Sequence, residues 1–140
     1  MVRTKLLIVS FLFLLFITAC KKPEGKGGNS SIKGKVTLRK YNPSNQTFSL
    51  IYPAKDVDVY IIYGNETSYG DRLKTDYEGD FEFKYLRKGK YTIYVYSIDT
   101  IAYKGPPANP KAEKIAVIKQ VTITKNKQTV DAGEFIIAND

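Results

Sequence analysis

Apolar residues recur at every second position in one stretch after another between residues 32 and 137, and that period of two decides the fold class. Successive side chains of a strand point to opposite faces, so such alternation marks a strand with one face buried and the other wet. Ile32, Gly34, Val36 and Leu38 alternate with Lys33, Lys35, Thr37 and Arg39. Val57, Val59, Ile61 and Tyr63 alternate with Asp58, Tyr60 and Ile62. Phe81, Phe83 and Tyr85 oppose Asp80, Glu82 and Lys84, and Tyr91, Ile93 and Val95 oppose Thr92, Tyr94 and Tyr96. Over 115–124, Val117, Val121 and Ile123 share a phase with Lys119 between them. In the last stretch Val130 and Ala132 are out of phase with Phe135 and Ile137, and the intervening Gly133 marks a bulge. No stretch carries a helical stripe.

Turn signals separate these runs. Gly64 and Asn65 end one strand, and a short weak strand covers 72–75. Asp76, Tyr77, Glu78 and Gly79 form a turn in which Gly79 supplies a positive φ. The stretch 41–53, with Asn42, Pro43, Ser44 and Asn45, reads as a loop, as does the segment holding Gly105, Pro106, Pro107 and Pro110. The count is about seven strands in about 110 residues, the pattern of an antiparallel Greek-key β-sandwich, with a small open barrel as the other way to close it. A domain of this size holds a core without disulfides.

Residues 1–19 read as a leader and not as fold. Arg3 and Lys5 precede a run of 14 residues, 6–19, interrupted only by Ser10 and Thr18. A membrane span takes roughly 20 apolar residues, so this run fits a signal-peptide core, an uncleaved anchor being the alternative. Cys20 is the only cysteine and has no disulfide partner within the chain. The residues Ile17, Thr18, Ala19 and Cys20 resemble the bacterial lipobox. The resemblance implies diacylglyceryl transfer to the Cys20 sulfur, cleavage before it and acylation of the new amine. Several acyl chains on one residue bind a bilayer almost irreversibly. Residues 21–31, "KKPEGKGGNSS", are polar with three glycines and read as a flexible tether. The expected organisation is a signal peptide over 1–19, a lipidated tether over 20–31 and a sandwich over 32–140.

Loss of the leader removes Arg3 and Lys5 from the 22 basic residues and none of the 14 acidic ones, lowering the formal charge from +8 to +6. No basic helix is present, which argues against nucleic acid as a partner. The charge is compatible with weak attraction to acidic lipid headgroups or glycans.

Thr75, Asp76, Gly79 and Phe81, followed by Leu86, Gly89, Tyr91 and Ile93, resemble a pattern of transthyretin-like sandwich modules, which include the carboxypeptidase regulatory-like and Cna B-type domains. The stretches "IKGKV" and "AKDVDVYI" resemble the first two strands of that family. The resemblance implies an accessory or structural module of an exported bacterial protein. Lys21 after the cysteine resembles outer-membrane sorting in diderm bacteria, and the composition resembles lipoproteins of the Bacteroidota. An acidic surface-export signal is absent from "KKPEG", which favours the periplasmic face.

One variant of that family closes an internal Lys–Asn bond. Here Lys33 and Lys35 alternate outward, Tyr94 and Val95 stand where the acid is wanted, and Asn139 lies beyond the last strand. Asp76, Glu78 and Asp80 offer three carboxylates at a turn, a start for Ca²⁺ but short of its usual 6–8 oxygens. The chain has no histidine, which excludes a His-based triad from it. The expectation is therefore no catalysis and no cofactor. The surplus is in tyrosine, with 11 Tyr and no Trp. Tyr60, Tyr94 and Tyr96 sit opposite the core-facing phase of strands expected to be neighbours, forming an aromatic ridge suited to a protein partner or to sugar rings. Tyr103, in the Pro-rich loop, is a separate candidate contact. Two functions remain open: an envelope lipoprotein acting as a structural or protein-interaction module, or a glycan-binding, adhesin-like module.

Overall fold

The structure, a computed structural model, describes residues 23–105 and 112–139. The leader 1–19, Cys20, Lys21, Lys22 and the prolines at 106, 107 and 110 lie outside the described residues.

The strands in chain order are β1 (Lys26–Asn42), β2 (Thr47–Pro53), β3 (Asp58–Tyr63), β4 (Asp71–Lys74), β5 (Asp80–Leu86), β6 (Gly89–Ile98), β7 (Lys114–Ile123) and β8 (Thr129–Asn139). They form two four-stranded sheets. In the first, β1 pairs antiparallel with β2 along its second half and with β5 along its first half. On its other side β1 pairs with β8 in parallel, so the sandwich is antiparallel except at this one ladder. The second sheet runs β4-β3-β6-β7, all antiparallel.

The core lies between the sheets and is filled by the positions that the alternation marked. Ile32 and Val36 from β1, Phe81 and Phe83 from β5, and Phe135 and Ile137 from β8 meet Val59, Ile61, Tyr91, Ile93, Val95 and Ile123 of the second sheet. Each buried aliphatic or aromatic side chain contributes about 1.5–3 kcal/mol. The register of β1 against β8 shifts between Lys33 and Lys35, where Gly133 forms the expected bulge and brings Ala132 and Phe135 to the same face.

The corner motif has a mechanical reading. Thr75 is buried; its hydroxyl donates to the Ala54 carbonyl and accepts the Val57 N–H at 3.0 Å, locking the entry to β3 against the end of β4. Asp76 Oδ1 accepts the N–H groups of Glu78 and Asp80, each at 2.9 Å. Gly79 takes φ 76°, and a Cβ there would stand 2.3 Å from the Val36 carbonyl oxygen, so any side chain meets β1 backbone.

Four expectations need correction. β1 begins at Lys26 and not at Ile32, and Ser30 and Ser31, placed by composition in a flexible tether, are buried. β2 occupies most of a stretch read as loop; all seven of its residues are exposed, so no alternation announces it. Tyr85 does not face the core. It adopts φ 62° and is 70% exposed, because a bulge in β5 opposite Ser30 and Ile32 turns Leu86 inward in its place. Tyr103, expected as a surface contact, is buried.

Tyr91 ties the entering chain to this body. Its hydroxyl accepts the Gly25 N–H at 3.1 Å and donates to the Arg87 carbonyl at 2.7 Å. Burial first, then the Glu24 charge, lifts its phenol above the ordinary value of 10.0. The folded chain therefore holds this proton more tightly than the unfolded one, so the associated stability is complete below about pH 10 and falls as pH rises through the folded value. Tyr91→Phe is expected to cost about 1–2 kcal/mol at neutral pH and to shrink the alkaline loss, read from urea unfolding on either side of pH 10.

Candidate functional site

The outer face of the second sheet carries the tyrosines. β3 and β6 pair with Tyr60 directly opposite Tyr94. The same row extends to Arg72 on β4 and to Ile118 on β7. Directly opposed side chains of an antiparallel pair are close enough to stack. The Tyr60 and Tyr94 rings do so, with centroids 4.9 Å apart and planes 9° from parallel. Tyr96 meets both edge-on, at 5.7 Å from Tyr60 and 5.6 Å from Tyr94. Tyr69, from the β3–β4 loop, meets Tyr60 at 5.2 Å. Such ring pairs are worth about 0.5–1.5 kcal/mol each beyond burial.

The ridge expected from Tyr60, Tyr94 and Tyr96 is thus brought together, and Tyr103 is not part of it. Sequence reasoning missed Tyr69, Arg72 and Ile118. Ile118 had a signal, an apolar residue out of phase with Val117, Lys119 and Val121; Tyr69, in a loop, had none. Tyr60 touches three other rings, so the open surface lies at the flanks. There Tyr96 is 44% exposed, Tyr69 51% and Ile118 58%. Burial, then the neighbouring Tyr96 and Tyr60 phenols, raises the Tyr94 pKa, so its hydroxyl stays protonated at neutral pH. A hydrogen bond with Tyr60 and then the charge of Asp58, 3.8 Å away, raise that of Arg72. The patch offers aromatic faces, an aliphatic side chain, hydroxyl donors and one guanidinium on the outer face of one sheet.

The first sheet's outer side differs. A groove of about 850 Å³ is lined there by Lys33, Lys35, Asp80, Glu82, Asp131 and Glu134. Register sets Lys33 between Glu82 and Asp131, and Lys35 between Asp80 and Glu134. The charges offset one another along each row. A hydrogen bond from Ser31, then one from Lys84, keeps Glu82 below the usual carboxylate range. Among the described residues no three His, Cys, Asp or Glu side chains gather as a metal site. Asp76, Glu78 and Asp80 instead build a turn, Asp76 accepting from the backbone of the other two, and Asp80 lies 3.7 Å from Lys35.

No protein-family model and no curated protein matches this chain. Solved structures match at the level of fold. One is a candidate carbohydrate binding protein from Pseudomonas aeruginosa, 15% identical, with a TM-score of 0.45 over 82% of this chain and 91% of that one. Another is the Klebsiella pneumoniae 5-hydroxyisourate hydrolase, 16% identical, with a TM-score of 0.37 over 75% of this chain and 90% of that one. Such distant likenesses concern the β-sandwich alone and carry no ligand or reaction to this chain.

Proposed function

We propose that this protein is a lipid-anchored lipoprotein of the bacterial envelope, held in the outer membrane through Cys20 and facing the periplasm, and that it works without catalysis by docking another envelope protein on its tyrosine face. The observation that carries the docking role is the patch of Tyr69, Tyr60, Tyr94, Tyr96 and Ile118 with Arg72 at its border. Tyrosine and arginine dominate the energetics of protein interfaces, and a hydrogen-bonding aromatic surface on a sheet face suits such docking. A second apolar surface supports the same reading. Leu50 and Ile51 are 70% and 66% exposed on β2, which among the described residues pairs with β1 alone. An open strand edge with apolar side chains is a template for a partner strand.

The second reading, a glycan-binding module, uses the same rings, and the Asp58–Arg72 pair beside them favours it by offering polar groups to sugar hydroxyls. Separate variants test the two readings. Tyr69→Ala with Tyr96→Ala is expected to weaken a crosslinked envelope complex at least tenfold, while the lost ring contacts lower the unfolding midpoint and leave the core strands folded, as amide exchange across β6 reports. A complex that survives both substitutions rejects the docking face. Specific binding on a glycan array that disappears in Tyr94→Ala selects the sugar reading. The anchor is tested separately by mass spectrometry of the native chain, expected to start at an acylated Cys20.

A further inference from the structure

The chain enters the sandwich at one end, and that end is basic. Arg87 Nη1 donates to the Pro23 carbonyl at 3.2 Å and the Arg87 N–H to the Gly25 carbonyl at 2.9 Å. Lys26 pairs with Asp71 at 2.7 Å. The β7–β8 turn is tied to the same end, since Ser30 Oγ donates to the Lys125 carbonyl at 3.1 Å and the Lys127 N–H donates to Asn29 Oδ1 at 3.0 Å. Lys26, Lys88, Lys90, Lys125 and Lys127 are exposed here and Arg87 is half-buried. The carboxylates nearby are Glu24, Glu66 and Asp71, and Asp71 is engaged by Lys26.

The opposite end has the opposite sign. Among the described residues its loops carry Asp56, Asp76, Glu78, Asp99 and Glu113 against Lys55 and Lys104, and at the adjoining strand ends Asp58 and Asp80 offset Lys74 and Lys114. The β1–β2 turn at that end, 42–46, bears no charge at all. Charge is therefore sorted along the strand axis, with cations gathered where the chain comes in.

Position gives this sorting its meaning. Three peptide links join Cys20 to Pro23, a reach of at most about 10 Å. That is close to the distance over which charges act at physiological salt, about 8 Å. Lys21 and Lys22 fall within the same short link. We propose that the basic end, centred on Arg87, Lys88 and Lys127, is a docking surface for anionic lipid headgroups that stands the sandwich upright on its bilayer. The proposal rests on acylation of Cys20. Each cation held near an anionic surface multiplies residence there about fivefold. In this pose the tyrosine face runs along the side of the upright body and the uncharged 42–46 turn points away from the membrane, leaving both open to a partner.

The test uses the processed, full-length protein reconstituted into vesicles of phosphatidylcholine alone or mixed with phosphatidylglycerol. Amide hydrogen exchange over 86–90 and 124–128 is expected to slow several-fold on the anionic vesicles, and the slowing should vanish at high salt. Lys88→Gln, Lys90→Gln and Lys127→Gln combined should abolish it, with exchange across residues 92–97 in the interior of β6 unchanged as the folding control. Equal exchange on both vesicles, or slowing that persists in the triple variant, overturns the surface. The mass of the same preparation reports acylation independently. An acylated chain that exchanges alike on both vesicles removes this surface alone, whereas an unmodified Cys20 removes the anchor and, with it, the placement of this end at a membrane.

Discussion

Phe135→Ala is expected to destabilise the sandwich by about 3–5 kcal/mol, a large part of the stability of a small domain. Phe135 has no exposed surface and sits opposite Val36 in the parallel β1–β8 ladder. Its ring lies 5.8 Å from that of Phe81, and the Lys119 ammonium from the second sheet stands 4.9 Å above it. Lys119 is held there by the carbonyls of Ala132 and Glu134, at 3.1 and 2.8 Å. Removing the ring leaves a cavity between two sheets that are each tied laterally by backbone ladders, so collapse recovers little. The cavity also opens beneath an amine that keeps its two carbonyl partners and gains no apolar cover. Phe135→Leu fills most of the volume and is expected to cost about 1–2 kcal/mol. Equilibrium urea unfolding decides the matter: a Phe135→Ala loss below about 1 kcal/mol means that the inter-sheet packing is not centred on this ring.

What the sequence made legible follows from which positions are buried on one face only. Ile32, Val59, Phe81, Ile93 and Ile137 occupy strands with one dry and one wet side, and there the period of two is visible in the letters. β2 has no dry side, so Phe48, Leu50 and Ile51 follow no alternation and the strand hides in a stretch rich in turn residues. Tyr85 fails for a different reason. Its inward position was read by counting in twos, and one residue in the left-handed region ends the count. Such a conformation costs a non-glycine residue roughly 1–2 kcal/mol, and no pattern of hydrophobicity records it. The tyrosine face was legible where aromatics broke the expected polar phase on strands that pair, at Tyr60, Tyr94 and Tyr96. Tyr69 reaches the same cluster from a loop whose path is set by the Gly70 N–H bonding the Ile61 carbonyl at 2.8 Å, a contact that no periodicity reveals.

The segment 26–31 is where composition misled most, and it carries the other large expected effect. A chain starting at Ile32, the boundary that polarity suggests, should be less stable than one starting at Pro23 by on the order of 4 kcal/mol, a drop of roughly 2 M in the urea midpoint. Low hydrophobicity signals disorder only when polar groups find better partners in water than in the fold. Here they do not. Ser30 Oγ accepts the Gln128 N–H at 3.1 Å, Ser31 Oγ meets the Thr129 hydroxyl at 3.1 Å, and the Ser31 N–H bonds the Gln128 carbonyl at 2.9 Å. Cutting at Ile32 removes these bonds together with the Gly25 partner of the buried Tyr91 hydroxyl and uncovers the end of β5 at Leu86. The glycines that suggested a flexible linker serve close packing. A Cβ on Gly28 would stand 2.0 Å from the Leu86 carbonyl oxygen, so Gly28→Val in the longer chain should reproduce part of the loss. Equal midpoints for the two chains would mean that 26–31 is a tether after all. A strand in that place leaves only a few residues between Cys20 and the folded body, so the proposed acylation of Cys20 would hold the basic end near the bilayer.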